Sequence, residues 1–426
     1  MTIHEAIVSP GCGCDERDVL SPLISVDEAL ARISAKIAPV GRTTAVSLDR
    51  ALGRILAQPV RALTRAPAFD NAAVDGYAVA TSALTGRGPW QLRVVARVPA
   101  GESLALALSG KEAARIFTGA PLPQGANAVV MQEEVTRVGD VIHLHHRLGP
   151  GQNIRREGSD MAARAIVLEK GQRMGPRAIA ACAAAGAGIV RVRPRVRVAL
   201  LVTGDEVRPV GGARDAAQTW DVNTPMLTAA LTAAGVEIVA SAHGNDKRAS
   251  LARQICELSA QADLVVTTGG ISVGEEDHVK PAFAELGGET LFSGVAIKPG
   301  KPVSFGRLGS TFWLGLPGNP LSAFVTWHIF GSSLLRGLAG ETSPAPSRRH
   351  VVTSAALCRK PGRCELRLAT LEGIDSQGRE IVSFDDAVHS GRIGKLPLAD
   401  GLIFLPADAD NLPKGALVEF QPFSQF

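Results

Sequence analysis

The chain of 426 residues has almost no excess of either charge: 45 Lys and Arg against 41 Asp and Glu leave a net charge of +4. That is too weak a bias to mark a nucleic-acid surface, and no nucleic-acid partner is expected. Long hydrophobic runs are also missing. The longest, Ala178–Val190, covers 13 residues and is interrupted by Gly186 and Gly188, whereas a membrane-spanning helix needs roughly 20 apolar residues. The opening MTIHEAIVSPG lacks a basic-then-apolar signal pattern, so a cytoplasmic protein without membrane association is expected. Cysteine is scarce. Of Cys12, Cys14, Cys182, Cys256, Cys358 and Cys364, only the first two are close in sequence. No histidine or second cysteine pair stands at zinc-ligand spacing from them. Cys12 and Cys14 read as part of a polar leader, the others as small hydrophobes. No Walker loop, no G-x-G-x-x-G, no fixed-period repeat and no Ser-His or Cys-His nucleophile pair is evident.

Forty-five glycines and 26 prolines fall mostly between apolar runs and punctuate a multidomain chain. Residues 1–20 form the leader. Residues 21–58 and 151–192 form a discontinuous linker domain of mixed helix and strand. It opens with a helix at Ser25-Val26-Asp27-Glu28, where Ser25 and Glu28 make a capping box and Pro39 ends the run. A second helix is predicted over Leu48–Leu56, and an Ala-rich one from Gly175-Pro176. Residues 59–150 carry short strand-like runs between Gly/Pro turns and read as a β-rich domain. Residues 193–341 alternate strand and helix with short links, which implies a parallel sheet covered on both faces. Arg191, Arg193, Arg195 and Arg197 read as the solvated face of the strand leading into it. Residues 342–350 are a polar linker, and 351–426 read as a C-terminal β-barrel. The fold class is therefore α/β multidomain, a central parallel-sheet domain with β-rich, linker and barrel domains around it.

In an open α/β sheet, ligands gather at the carboxyl ends of the strands, and four clusters fall there. Thr203-Gly204-Asp205-Glu206 follows the strand VALLV; its two carboxylates either hold a hard cation or cap a polar turn. Thr267-Thr268-Gly269-Gly270-Ile271-Ser272-Val273-Gly274 follows DLVV. Its small residues let backbone amides cradle an anion, with Glu275, Glu276 and Asp277 next in sequence. Three carboxylates beside such a nest would repel an anion unless Mg2+ bridged them; otherwise they are favourable charges at a helix start. Lys298-Pro299-Gly300-Lys301-Pro302 either brings two ammonium groups to one anion or is a solvated basic turn. Pro317-Gly318-Asn319-Pro320 links a strand to a long helix and offers amides at its start. In the β-rich segment, Asp75-Gly76 and Phe117-Thr118-Gly119 suit turns.

Taken in order, DNAAVDGYAV, RIFTGAPLP, NIRREGSD, VTGDE, TTGGISVGEEDHVK, AIKPGKP and LPGNP resemble the molybdopterin molybdotransferase family, which includes MoeA and the gephyrin E domain. Each string is weak alone, and seven in order are specific. Val74 stands where methionine is frequent and Ile271 where valine is. The resemblance implies a Mg-dependent transferase that takes adenylyl-molybdopterin and molybdate to molybdenum cofactor and AMP. It implies catalytic roles for Asp75, Thr118, Asp160, Glu206, Asp246, Asp277, Lys298 and Lys301, with Glu206, Asp246 and Asp277 holding Mg2+. Thr203, Gly204, Asp205, Gly269, Gly270, Ser272, Gly274, Pro317, Gly318, Asn319 and Pro320 would contact the substrate. It further implies a homodimer whose site lies between the α/β domain of one subunit and the β-rich domain of the other, with the cofactor handed to molybdoenzymes or their chaperones. Two other functions share parts of this pattern: the related adenylyltransferase, whose comparable loop reads Gly-Gly-Thr-Gly, and a scaffold that binds molybdopterin without turnover.

Overall fold

The computed structural model describes residues 23–41, 43–102, 107–342, 348–385 and 393–423. The Cys12/Cys14 leader and most of the 342–350 linker lie outside the described residues. The chain forms two compact units, Thr43–Arg193 and Met1–Arg42 with Pro194–Phe426.

In the first unit a six-stranded mixed sheet runs in the order Ala128–Met131, Gly76–Val79, Glu112–Ile116, Trp90–Val98, Val141–Leu144, Val135–Val138. Alternate residues of these strands feed two cores. Tyr77, Val79, Leu92 and Ile142 pack on one side, and Ala78, Ala114, Ile116 and Val129 on the other, the period of two expected of strands. A second body in this unit is built from Thr44–Ser47 paired with Ile189–Val192, Val60–Arg61 paired with Ile166–Leu168, and the helix Pro176–Ala184. Its core is Ala51, Leu56, Met174, Cys182 and Val190. The helix predicted over Leu48–Leu56 is reduced to one turn, Leu48–Arg50. Gly53 sits at φ +74°, and the amides of Leu56 and Ala57 donate to Gln172 and Arg191 carbonyls instead of to their own preceding turn. Tertiary pairing overrides local propensity here. Nor do the four alternate arginines share a strand. Arg191 lies in Ile189–Val192, Arg197 opens Arg197–Thr203, and Pro194 falls in the break between them.

The second unit begins with the helix Val26–Lys36. Ser25 Oγ accepts from Glu28 N at 3.1 Å, while the Glu28 carboxylate pairs with Arg32 one turn on, at 2.6 Å. Only half of the expected capping box forms. The helix buries Val26, Ala29 and Ile33 in the largest core of the molecule.

That core underlies a six-stranded sheet in the order Glu237–Gly244, Arg197–Thr203, Leu264–Thr268, Thr311–Leu316, Ser304–Leu308, Glu289–Ser293. The first four strands are parallel, as expected. The last two run antiparallel to their neighbours: Leu308-Gly309-Ser310-Thr311 closes a tight hairpin, with Gly309 at φ +59°, and the 294–303 loop joins the outer pair, neither carrying a crossover helix. Arg197–Thr203 is buried from Val198 onward, as a strand covered on both faces must be. Val198 and Leu200 face the helices Asn223–Ala233 and Pro320–Thr326. Ala199 and Leu201 face Arg248–Ser259 and Val279–Glu285. From Pro320 the chain stays helical to Ala339, through a wider π turn at Trp327–Gly331. A Cβ on Gly331 would lie 2.2 Å from the Trp327 ring, so only glycine lets that ring fold over the turn.

The C-terminal strands Cys364–Ile374, Glu380–Phe384, Arg349–Thr353, Leu417–Pro422 and Gly401–Leu405 close on themselves, the last pairing back to the first. This five-stranded barrel encloses Val351, Ala369, Val382, Ile403 and Phe420. The short strand Ile297–Lys298 extends it, pairing in parallel with Cys364–Glu365.

Candidate functional site

The four parallel strands deliver their carboxyl ends to one edge of the sheet. The Ser293, Ser304, Gly315 register brings the end of Glu289–Ser293 to that same edge. Five loops therefore emerge in a row: Gly244-Asn245-Asp246, Gly204-Asp205-Glu206, Gly269-Gly270, Pro317-Gly318-Asn319, and the 294–303 loop that carries Lys298 and Lys301. At about 4.8 Å per strand, the lysine loop starts about 19 Å along the edge from the Glu206 loop, with the two glycine turns between them.

The middle of the row is packed backbone to backbone. A Cβ on Gly318 would stand 3.3 Å from Gly269 Cα, and one on Gly269 would meet Thr203 Oγ1 at 2.7 Å and Thr203 O at 2.9 Å. Gly269 sits at φ +86°, a conformation that favours glycine. Its amide donates to Leu316 O at 3.1 Å. Thr203 Oγ1 donates to Thr268 O at 3.3 Å, and Trp313 Nε1 to Thr267 Oγ1 at 3.0 Å. Asn319 caps the following helix through Ser322 N, and Gly318 is exposed above the packed layer. Ser272 and Gly274 are exposed too; they lie on the loop that returns to Val279, whose amide donates to Gly270 O at 3.0 Å.

The acidic end is held by reciprocal bonds. Asp205 N donates to Asp246 Oδ2 at 3.0 Å, and Asp246 N to Asp205 Oδ1 at 3.3 Å. Burial pushes the Asp246 carboxyl up; the Asp205 amide pulls it down, and the charges of Asp205, Glu206 and Glu276 raise it further. Carboxylates are thus crowded around Asp246. Asp277 is tied into its own loop, its Oδ2 accepting from Gly274 N at 2.7 Å. Among the described residues no group of three or more His, Cys, Asp or Glu side chains is placed to hold a metal ion. The expected trio of Glu206, Asp246 and Asp277 is therefore not assembled as a ligand set.

At the basic end Lys298 is exposed and, among the described residues, makes no ion pair. Lys301 O accepts from Val295 N at 2.9 Å, closing the loop. A Cβ on Gly300 would lie 2.4 Å from Thr326 Cγ2, which seats the loop on the same helix that Pro320 opens. Arg363 of the barrel donates to Ile297 O at 3.4 Å, a basic neighbour of Lys298 that sequence reasoning did not single out.

In the other unit, Asp75 and Thr118 meet. Asp75 Oδ1 accepts from Thr118 N at 2.8 Å and Thr118 Oγ1 at 2.7 Å. These bonds, the backbone one first, hold the Asp75 carboxyl below its usual range, with help from Arg115. Arg115 donates to Gly76 O at 3.2 Å and lies over the rings of Tyr77 and Phe117, a role its place in RIFTGAP did not reveal. Asp160 stands apart. It is exposed, its amide donates to Ala66 O at 3.0 Å, and its side chain makes no ion pair among the described residues. Asn223 was also missed by the sequence reading. It is buried between the two glycine turns, with Nδ2 bonded to Thr268 Oγ1 at 3.2 Å and to Gly318 O at 2.8 Å.

A carboxyl-edge row of glycine turns between an acidic and a basic loop, in an α/β layer that carries a barrel, defines a multidomain α/β protein of the kind that receives ligands at its strand ends. Residues 24–186 match the MoeA N-terminal region (domains I and II), 199–337 a probable molybdopterin binding domain, and 350–423 the MoeA C-terminal region (domain IV). The chain is 35% identical over 396 residues to molybdopterin molybdenumtransferase 2 of Mycobacterium tuberculosis, covering 91% of this chain and 97% of that protein. It is 32% identical over 404 residues to the molybdopterin molybdenumtransferase of Haemophilus influenzae, covering 94% and 99%. Two crystal structures of the MoeA molybdopterin biosynthesis protein from Pyrococcus horikoshii superpose with TM-scores of 0.78 and 0.81, at 29% and 26% identity. They cover 95% and 94% of this chain and 100% of theirs. The chain belongs to the molybdopterin molybdenumtransferase family.

Proposed function

We propose that this chain inserts molybdate into adenylyl-molybdopterin, releasing AMP and leaving molybdenum cofactor. The observation that carries the reading is the shared edge: Glu206 and Asp246 at one end, Lys298 and Lys301 at the other, and the Gly269-Gly270 and Pro317-Gly318-Asn319 turns between. Both reactants are anions, and their approach is opposed by Coulomb repulsion. Lys298 and Lys301 supply fixed positive charge for molybdate and the pterin phosphate. The exposed amides of the Gly318 turn point oxygens into place without reorganising. Asp277, by holding Gly274 N, shapes the loop that closes over the glycine turn.

Hard oxygen donors suit Mg2+, which commonly takes only one or two carboxylates and fills its shell with phosphate and water. Glu206 and Asp246, whose carboxyl is raised by burial first and by its acidic neighbours second, fit that smaller set. When bound there, Mg2+ would neutralise the pyrophosphate and polarise its bridging bond. The reaction breaks the phosphoanhydride between the pterin phosphate and AMP, and an oxygen from molybdate or water completes the AMP phosphate. The two dithiolene sulfurs replace oxygen on molybdenum, and that oxygen leaves with the thiol protons as water, with no change of oxidation state.

The reading also takes from the family resemblance a homodimer, in which the Asp75–Thr118 corner and Asp160 of a second copy serve the reaction. It takes a cytoplasmic setting and delivery of the cofactor to molybdoenzymes or their chaperones as well. No helix among the described residues is long and apolar enough to cross a membrane. Purified protein incubated with adenylyl-molybdopterin, MgCl2 and molybdate is expected to release AMP only when molybdate is present. Release of pyrophosphate from ATP and molybdopterin instead would identify an adenylyltransferase; binding with no release of either would identify a scaffold.

A further inference from the structure

Asn223 is 6% exposed, and its polar side chain serves no purpose in its own helix. It opens Asn223–Ala233, yet the free amides there are capped by its neighbour: Asp221 Oδ1 accepts from Thr224 N at 2.9 Å. Instead, Asn223 Nδ2 reaches across the sheet edge to Gly318 O at 2.8 Å and Thr268 Oγ1 at 3.2 Å. A carbonyl oxygen can only accept, so the nitrogen must face Gly318, and the amide has one orientation. That orientation leaves Asn223 Oδ1 buried without a partner. An orphaned buried carbonyl destabilises a fold; a leucine of similar size would remove that orphan at the loss of both donated bonds. What leucine cannot supply is a pair of donors at the junction of two turns.

We infer that Asn223 is a positioning residue: its carboxamide is the strut that fixes the Thr268-Gly269-Gly270 turn and the Pro317-Gly318-Asn319 turn at one spacing, and so sets where the amides that receive the substrate's oxygens stand. The chemistry narrows the residue to asparagine. Aspartate would turn an acceptor toward Gly318 O. Glutamine would add a methylene in a closed layer. The strands are paired up to Thr268 and Leu316, and the Gly269 amide donates to Leu316 O. Beyond that last bond the strut is the side-chain tie between the two turns, where a Cβ on Gly318 would stand 3.3 Å from Gly269 Cα. Asn223 touches no reacting group; it acts through the turns.

This inference rests on the proposed function in one respect, that these turns bind the substrate, and the test separates the two. Asn223→Ala is compared with Leu231→Ala, a core truncation on the same helix that is fully buried and takes no part in either turn. Hydrogen exchange is followed in the full-length protein over residues 264–270 and 316–323, where the Gly269 amide is bonded to Leu316 O and the Ala323 amide to Asn319 O. Exchange in both segments is expected to accelerate by about tenfold in Asn223→Ala and to stay near wild type in Leu231→Ala, even though the latter melts lower. With adenylyl-molybdopterin and molybdate, Asn223→Ala is expected to raise KM about tenfold with kcat within about threefold, since a displaced cradle weakens ground and transition state together. Leu231→Ala should leave KM within about twofold. Equal exchange in wild type and Asn223→Ala overturns the strut, as does a Leu231→Ala protein that shifts KM just as far. Faster exchange in a protein whose wild type releases no AMP would sink the proposed reaction and leave the strut standing. Should Asn223→Ala not fold, Asn223→Asp keeps the shape, loses the donors, and is expected to show the same pattern more strongly.

Discussion

Replacing Gly269 by alanine puts the packed centre of the row under a defined load. The residue sits at φ +86°, where an L-side chain is disfavoured by about 1–2 kcal/mol. The new Cβ would also lie 2.7 Å from Thr203 Oγ1 and 2.9 Å from Thr203 O. The hydroxyl can rotate, but the carbonyl belongs to a central strand and cannot, so overpacking adds about 1–3 kcal/mol. Together Gly269→Ala should destabilise by roughly 2–5 kcal/mol, the two contributions being additive only approximately. Gly287 supplies the internal control. It follows the helix Val279–Glu285 at φ +78°, with nothing within 4 Å of its would-be Cβ, so Gly287→Ala carries the conformational cost alone, about 1–2 kcal/mol. Thermal melting should rank wild type, Gly287→Ala, Gly269→Ala. AMP release should separate them further. Relief of the overlap pushes the Gly269 turn outward by a few tenths of an ångström, and a misplacement of that order is expected to lower kcat/KM by about tenfold or more. Gly287→Ala should remain within about twofold of wild type. A Gly269→Ala enzyme that melts low but turns over normally would refute the claim that the spacing of these turns matters to the chemistry.

Three further outcomes follow from the charges. The Asp246 carboxyl is raised by burial and by its acidic neighbours, so ionising it weakens the folded state as pH rises from 3.8 through the folded value. Asp246→Asn should therefore be more stable than wild type near pH 7–8, a gain that vanishes below about pH 3.8, while AMP release falls roughly tenfold or more; urea melts at two pH values check the sign. The Asp75 carboxyl is lowered chiefly by the Thr118 amide and hydroxyl, so its contribution is lost as pH falls through the folded value. Thr118→Val removes one bond, and NMR titration of Asp75 should move upward toward the ordinary carboxylate range. Lys298→Gln should raise KM for molybdate several-fold and flatten the dependence of KM on ionic strength, because exposed charge is screened by salt; an unchanged KM would remove Lys298 from the site.

The α/β layer was legible because strands buried on both faces must be apolar throughout, and Val198–Val202 and Leu264–Val266 show it. Gly/Pro turns marked the carboxyl edge for the same reason: sharp reversals need them. The Leu48–Leu56 helix failed because its apolar spacing fits either structure, and Gln172 and Arg191, more than a hundred residues away, provide the competing carbonyls. The antiparallel strand pair at the sheet edge was missed because Gly309-Ser310 is a turn whose direction depends on what pairs beside it. Asn223 was invisible because asparagine at a helix start reads as a cap, and only the fold shows Asp221 doing that work. The environment of the acidic trio was only partly legible: Glu206 and Asp246 follow neighbouring strands, while Asp277 lies farther along its loop with Oδ2 accepting from Gly274 N, a bond that no one-dimensional spacing reports.

Crystals soaked in molybdate and measured at the molybdenum absorption edge locate the metal without ambiguity. The expected anomalous peak lies on the loop-bearing edge of the α/β sheet, within reach of Lys298 and the Pro317-Gly318-Asn319 turn. A peak confined to the opposite edge of the sheet, or a soaked site that Lys298→Gln leaves fully occupied, would contradict the proposal that these two ends of one row act on a single polyanionic guest.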